Sequence, residues 1–167
     1  MKREMPHIGW REWVSLPALG VPHIKAKIDT GARTSVLHAY DIEIVHRGGH
    51  AYVRFVVHPL QRNTDVSIFA EAPLLGERTV RSSSGHVSRR PVIRTAVEIL
   101  GERRDVELTL VSRDEMGFRM LLGRQAVRDD FLIDAGRSYV GGRPFRRRKK
   151  KKKVRKKKVA RKGREHE

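Results

Sequence analysis

The chain of 167 residues contains no cysteine. Disulfides, thiol nucleophiles and thiolate metal sites are therefore excluded. Aromatic residues are scarce, at 6%, so the core must be built mainly from aliphatic side chains. No apolar run approaches the ~18 residues of a membrane span, and Met1-Lys2-Arg3-Glu4-Met5-Pro6 leads into nothing like a signal peptide. The expectation is a soluble, cytoplasmic protein with no membrane contact. Acidic residues are nearly missing from the end of the chain. Residues 143–167 hold 16 Lys/Arg against two Asp/Glu, a net +14 of the chain's +18, which leaves +4 for residues 1–142. The body reads as one mildly basic globular domain. The polybasic tail can bury no apolar area and repels itself, so it is expected to be disordered in isolation. Such a tail attracts polyanions by counterion release, which makes weak RNA or ribosome contact through residues 143–167 an expectation. No aromatic residue stands between Arg146 and Glu167 to stack on bases.

What is present is a series of short β-prone runs. Residues 1–8 read as an N-terminal arm. Trp10 to Leu16 alternates polar and apolar, and His23 to Asp29 places Ile24, Ala26 and Ile28 on one face with Lys25 and Lys27 on the other. Strands are expected over Thr34–His38, Ile42–Val45, Ala51–Val57, Val66–Ala70, Val92–Leu100, Val106–Val111 and Met120–Gly123. Gly48-Gly49 marks a hairpin turn, and Gly101 to Arg104 a connection. Glu77 to Thr95 reads as a long exposed hairpin with a mobile tip at Ser82-Ser83-Ser84-Gly85-His86. Arg124 to Phe131 is the one convincing helix, about two turns long. Leu132–Asp134 and Ser138–Val140 read as closing strands. Many short strands with one late helix indicate an all-β fold, a small barrel or sandwich, over residues 9–142.

One stretch combines strand and chemistry: Lys27-Ile28-Asp29-Thr30-Gly31-Ala32-Arg33. A carboxylate at a strand end is positioned by backbone rather than by a floppy side chain. Gly31, with no Cβ, lets its N–H approach Asp29. Asp and Gly are also ordinary turn residues, so the triplet alone is compatible with a plain turn.

Asp29-Thr30-Gly31-Ala32 at a strand end resembles the active-site signature of retropepsin-type aspartic peptidases. Leu121-Leu122-Gly123-Arg124, followed by QAVRDDF, stands where that fold has its apolar pair, glycine and short helix, and Val80 to Pro91 stands where it has a flap hairpin. The runs AKIDTGARTSVLHA, RTVRSSSGHVSRRPVIRT and MLLGRQAVRDDFLID together are similar to a bacterial family found beside RimK-type ATP-grasp ligases, often labelled ATP-dependent zinc protease and better described as retropepsin-like. The likeness spans about residues 8–142. It implies a small closed β-barrel with one short C-terminal helix. The residues supply neither noun of that label. There is no His-Glu-x-x-His, His46 and His50 straddle the Gly-Gly turn, and no phosphate-binding glycine loop precedes a Lys-Ser/Thr pair. No cofactor or metal is expected.

The resemblance implies a mechanism. Aspartic peptidases use two carboxylates about 3 Å apart that share one proton. This chain has one Asp-Thr-Gly; Asp134-Ala135-Gly136 lacks the hydroxyl residue, follows the helix and reads as structural. The second Asp29 is then expected from a second subunit, as a homodimer, with best activity on the acid side of neutral. Asp29, Thr30 and Gly31 are the expected catalytic residues. Ala32, Arg33, Arg81, Arg90, Arg94 and Arg124 are the expected substrate-binding residues, since Arg grips carboxylates bidentately. Arg78 and Arg89 crowd the same hairpin, and a solvated basic face explains such a cluster equally well. RimK-type ligases add glutamate chains to protein C-termini, a small-subunit ribosomal protein among them, so the implied substrate is an acidic peptide or protein tail. Two other classes stay open: a barrel that grips acidic peptides or RNA without cutting, and a platform for a nucleic-acid-binding tail.

Overall fold

A computed structural model describes residues 4–61, 63–112 and 117–144. Most of the basic tail, from residue 145 on, lies outside the described residues. Among these residues eleven strands, one short α-helix and a 3-10 turn at Pro17–Leu19 are formed: β1 (His7–Leu16), β2 (Val21–Asp29), β3 (Ser35–His38), β4 (Tyr40–Arg47), β5 (His50–Val57), β6 (Ile68–Pro73), β7 (Gly76–Arg81), β8 (Val87–Ile99), β9 (Glu102–Val111), β10 (Met120–Gly123), α1 (Arg124–Val127) and β11 (Leu132–Ser138). The main sheet runs β11-β1-β2-β10-β3-β9-β8-β7, and a further pairing of β1 with β8 through Ser15 and Glu98 closes six of these strands into a barrel. Strands β4, β5 and β6 form a separate antiparallel sheet. Among the described residues no helix is long and apolar enough to cross a membrane.

Period-2 alternation explains the closure. Ile24, Ala26 and Ile28 of β2, Ile93, Val97 and Ile99 of β8, and Leu108 and Leu110 of β9 all point inward and are buried. Val53, Phe55 and Val57 of β5 and Ala72 of β6 join the same core from the small sheet. One carboxylate enters the interior. Glu12, fully buried, accepts the amides of Gly9 (2.8 Å), Val140 (2.8 Å) and Gly141 (3.3 Å), and so fastens the C-terminal segment to β1.

Strand β10 decides the topology around Asp29. It lies between β2 and β3, parallel to β2 (Leu122 opposite Ile28, Gly123 opposite Asp29) and antiparallel to β3 (Met120 opposite Leu37). A strand from late in the chain thus threads between two strands joined by the Asp29 turn. The passage is tight at Gly123, where a Cβ would lie 2.4 Å from the Thr34 carbonyl oxygen and 2.8 Å from its nitrogen.

Several boundaries differ from those read off the sequence. β1 begins at His7 with Ile8 fully buried, so the last two residues of the expected arm belong to a strand. The helix has one turn rather than two: Arg128 leaves helical backbone (ψ 151°) and Asp129 takes a positive φ of 69°, which turns Phe131 into the core. The first expected closing segment extends to Ser138 as β11, while Tyr139, with a positive φ of 54°, and Val140 lie beyond the strand. The β8–β9 turn is Leu100-Gly101, both with positive φ (50° and 76°), and the charged residues after it already pair with β8. The sixth strand sits later than expected, over Ile68–Pro73.

Gly123→Ala is expected to destabilise the fold by about 3 kcal/mol or more, because the added methyl meets backbone that cannot move without breaking β3–β10 pairing. Chemical denaturation read by circular dichroism measures it; a midpoint unchanged from wild type would contradict the threaded arrangement.

Candidate active site

Asp29 ends β2, with its side chain half-buried. Its Oδ1 accepts the backbone N–H of Gly31 at 3.1 Å and that of Ala32 at 3.2 Å, while its backbone carbonyl accepts the Ala32 N–H at 3.2 Å. These bonds fix the carboxylate's plane with two donors on one oxygen. Gly31 suits this close approach: a Cβ there would stand 3.3 Å from Oδ1. Thr30 and Gly31 are exposed at the top of the turn, and Ala32 is half-buried beneath it.

The turn is braced from below by the start of α1. The Arg124 and Gln125 amides donate to the Ala32 and Arg33 carbonyls at 2.8 and 3.2 Å, and the Arg124 guanidinium donates through Nη1 to the Thr30 and Gly31 carbonyls at 2.9 and 3.1 Å. Ser35, fully enclosed, accepts the Gly123 amide on its Oγ at 3.1 Å, and its carbonyl accepts the Thr109 hydroxyl at 3.3 Å. Together, β10 and α1 lock both arms of the Asp29 turn.

The flap is the β7–β8 hairpin, with Arg78 opposite Arg90 and Arg81 opposite Val87. Its tip is hydrogen-bonded: the Ser82 amide donates to the His86 carbonyl at 2.8 Å, and the His86 amide donates to Ser82 Oγ at 3.1 Å. At its base, Glu107 of β9 accepts Arg78 at 3.0 Å and Arg94 at 3.1 Å. Hydrogen bonds from Arg78 and then Arg94 hold the Glu107 carboxyl below the usual carboxylate range, against a small opposing effect of burial.

The arginines singled out in the sequence are therefore placed differently from one another. Arg124 faces the turn's own carbonyls and acts as a brace. Arg94 is engaged by Glu107. Arg90 donates through Nε to Ser88 Oγ at 3.0 Å. Arg81 is exposed at the end of β7. Arg33, also exposed, lines a groove of about 570 Å³ beside the Asp29 turn with Thr30, Arg124, Gln125, Phe131 and Ile133. Asp134 keeps to itself, its Oδ1 accepting the Gly136 amide at 2.9 Å. It sits on β11, across β1 from β2, which at ~4.8 Å per strand step is roughly 10 Å away. Sequence reasoning missed Glu107, Ser35 and Glu12. Glu107 faces Arg94 only through the β8–β9 register, which no local pattern states. Ser35 beside the motif was the available signal for the lock.

Residues 7–144 match the model of the RimB-like family, retropepsin-like aspartic endopeptidase RimB. Curated relatives named probable alpha-L-glutamate ligase are similar over the same region: 43% identical over 135 residues in Shewanella halifaxensis (81% of this chain, 30% of the relative) and 46% over 127 residues in Desulfotalea psychrophila (76% and 27%). The chain thus spans under a third of the length of the curated relatives it matches. Among solved structures, a Legionella pneumophila protein of unknown function, Lpg0085, superposes with a TM-score of 0.68 at 24% identity, covering 81% of this chain and 98% of that one; it shares the fold. A barrel closed around a threaded strand, an Asp-Thr-Gly turn fixed at its mouth, a hairpin in flap position and the match over residues 7–144 place this chain in the RimB-like family of retropepsin-like aspartic endopeptidases.

Proposed function

We propose that this chain is an aspartic endopeptidase that acts as a homodimer on acidic, glutamate-rich peptide tails. The observation that carries the reading is the Asp29 carboxylate, held by the Gly31 and Ala32 amides at the end of β2 in a turn braced from two sides. Two amide donors on one oxygen give the carboxylate a fixed direction, as an acid–base group requires. Among the described residues there is one such braced turn, and Asp134 lies too far off to share a proton with Asp29. A second Asp29, related by a twofold axis, supplies the missing carboxylate, and Thr30 hydroxyls from the two copies meet across that axis.

In the assembled site the pair holds one proton. The ionised carboxylate takes a proton from water as the oxygen attacks the scissile carbonyl carbon. The protonated carboxyl donates to the carbonyl oxygen, giving a tetrahedral diol. Transfer of a proton to the amide nitrogen then lets the C–N bond break. The flap closes over the substrate and displaces water, with Arg81 near its moving end and Arg33 in the groove by the turn.

Acidic tails are the substrate class that the chemistry and the relatives' name support together. A region like this chain accounts for about 30% of proteins named as glutamate ligases, and the product of joining glutamates is a chain of carboxylates. A peptidase joined to that task would meet such chains. The observed cations, Arg33 and Arg81 above all, suit them.

Asp29→Asn is expected to lower turnover of a glutamate-tailed peptide by at least about a thousandfold with the fold intact, and the wild type is expected to cleave that peptide faster than its glutamine-tailed analogue. Retained hydrolysis in the variant, or equal rates on the two peptides, would overturn the mechanism or the substrate class respectively. A second expectation concerns the flap. Because the Glu107 carboxyl is lowered in the fold, its tether to Arg78 and Arg94 is complete at neutral pH and weakens as pH falls through that lowered value. Glu107→Gln should mimic the acid state. The pairs are partly exposed, so the effect is limited to roughly 1 kcal/mol, seen as up to about fivefold faster hydrogen exchange in β7 and the adjoining part of β8. Exchange unchanged by the substitution would remove the tether.

A further inference from the structure

Several guanidiniums of the β7–β8 hairpin are engaged within the protein. A different set of cations is less occupied. On β2 the side chains alternate, so Lys25 and Lys27 stand on the outward face, the face on which Asp29 emerges; Ile24, Ala26 and Ile28 point into the core. On β1, Arg11 lies directly opposite Lys27 and Trp13 directly opposite Lys25, while Glu12 and Ala26 share the buried side. The result is a row: Asp29, then Lys27 beside Arg11, then Lys25 beside Trp13. At ~3.3 Å per residue, Lys27 is about 7 Å and Lys25 about 13 Å back from Asp29 along the strand.

The row is held by rings rather than by carboxylates. The Arg11 guanidinium lies 4.5 Å from the Trp10 ring centroid and 4.9 Å from that of Tyr139. Lys25 Nζ lies 5.3 Å from Trp13 and 5.8 Å from Tyr139, and Arg143 caps Tyr139 at 4.6 Å. Among the described residues, none of Arg11, Lys25, Lys27 and Arg143 has a carboxylate within ion-pair distance, in contrast to Arg78, Arg89, Arg94 and Arg104. Two nearby carboxylates are occupied, Glu12 by three amides and Asp134 by Gly136, while Glu98, opposite Ser15, lies beyond Trp13 at the end of the row away from Asp29. Ring contacts restrain Arg11, Lys25 and Arg143, and Ser138 Oγ accepts Arg11 Nε at 3.1 Å; neither neutralises the charge, so an incoming anion gains it at reduced ordering cost.

We infer that this row is an exosite for an extended acidic peptide, which it leads to Asp29. An extended chain repeats its same-side side chains every ~7 Å, the interval between Lys25 and Lys27, so alternate glutamates meet Lys25 and then Lys27 with Arg11, and the next stretch of backbone reaches the catalytic turn. A nucleic acid would also be attracted by four cations, but the rings between them are already covered by Arg11, Lys25 and Arg143 and are not free to stack on bases. The identity of what happens at the end of the row rests on the peptidase reading; the binding itself does not.

The test uses the full chain carrying Asp29→Asn, so that nothing is consumed. A glutamate-tailed peptide, its glutamine-tailed analogue and a single-stranded oligonucleotide of matching charge are titrated in turn. Trp10 and Trp13 are the only tryptophans in the chain, and both border the row, so intrinsic fluorescence reports occupancy there and not on the basic tail. The acidic peptide is expected to change that fluorescence and to lose roughly threefold in affinity with Lys27→Gln and tenfold or more when Arg11→Gln and Lys25→Gln are added. Lys27 is exposed and holds no ring, so Lys27→Gln and Lys27→Glu carry the test if the Arg11 change loosens the aromatic support. Affinity held within twofold by Lys27→Glu, or a glutamine-tailed peptide that binds equally well, overturns the exosite. Greater loss for the oligonucleotide than for the peptide reassigns the face to nucleic acid. Binding that depends on the row in a chain whose wild type never hydrolyses peptide would sink the peptidase reading and leave the exosite standing.

Discussion

Everything at the site depends on β10 passing between β2 and β3. Two strands joined by a short turn would ordinarily pair with each other. Here a third strand separates them, and the turn must span the gap. That forces the Asp29-Thr30-Gly31-Ala32 segment open at the barrel mouth, where its polar groups need partners. The Asp29 carboxylate takes two of the amides, Arg124 takes two of the carbonyls, and the start of α1 takes the next two. The same bonds that satisfy the backbone also aim the carboxylate. Structure and chemistry therefore cannot be varied independently at this turn, and the tight contact of Gly123 with Thr34 is the point where the two meet.

Charge is distributed by a similar logic. The β7–β8 hairpin is rich in arginine, and part of that charge is engaged by the fold: Glu107 collects two guanidiniums, Glu77 another. Surface ion pairs of this kind contribute little stability each, but they keep a hairpin with Arg78 opposite Arg90 from being pushed apart. The cations on β1 and β2 meet no carboxylate in this way, though Arg11 donates through Nε to Ser138 Oγ at 3.1 Å across to β11. Their support comes from Trp10, Trp13 and Tyr139, which is a notable use of aromatics in a chain that has few.

Much of this was legible before any coordinates. Alternation in β2, β8 and β9 gave the barrel strands, and Asp-Thr-Gly-Ala with Leu-Leu-Gly-Arg gave the family. What was not legible was register. Arg94 looked like a substrate contact because its partner, Glu107, is brought opposite it only when β8 and β9 pair. The helix looked two turns long because its composition continues past Arg128, yet Phe131 must turn inward to fill the barrel end, and tertiary burial outweighs propensity. Alternation along β2 already places Lys25, Lys27 and Asp29 together on one outer face.

The central claim is that two copies of Asp29 form one catalytic pair. Mixing wild-type and Asp29→Asn chains under conditions of free subunit exchange, and following total peptidase activity at constant total protein, tests it most directly. If each site needs both carboxylates, an equimolar mixture retains roughly one quarter of the activity of the same total amount of wild type, and activity follows the square of the wild-type fraction. Activity that falls in simple proportion to that fraction would mean that one Asp29 suffices, and would contradict the account.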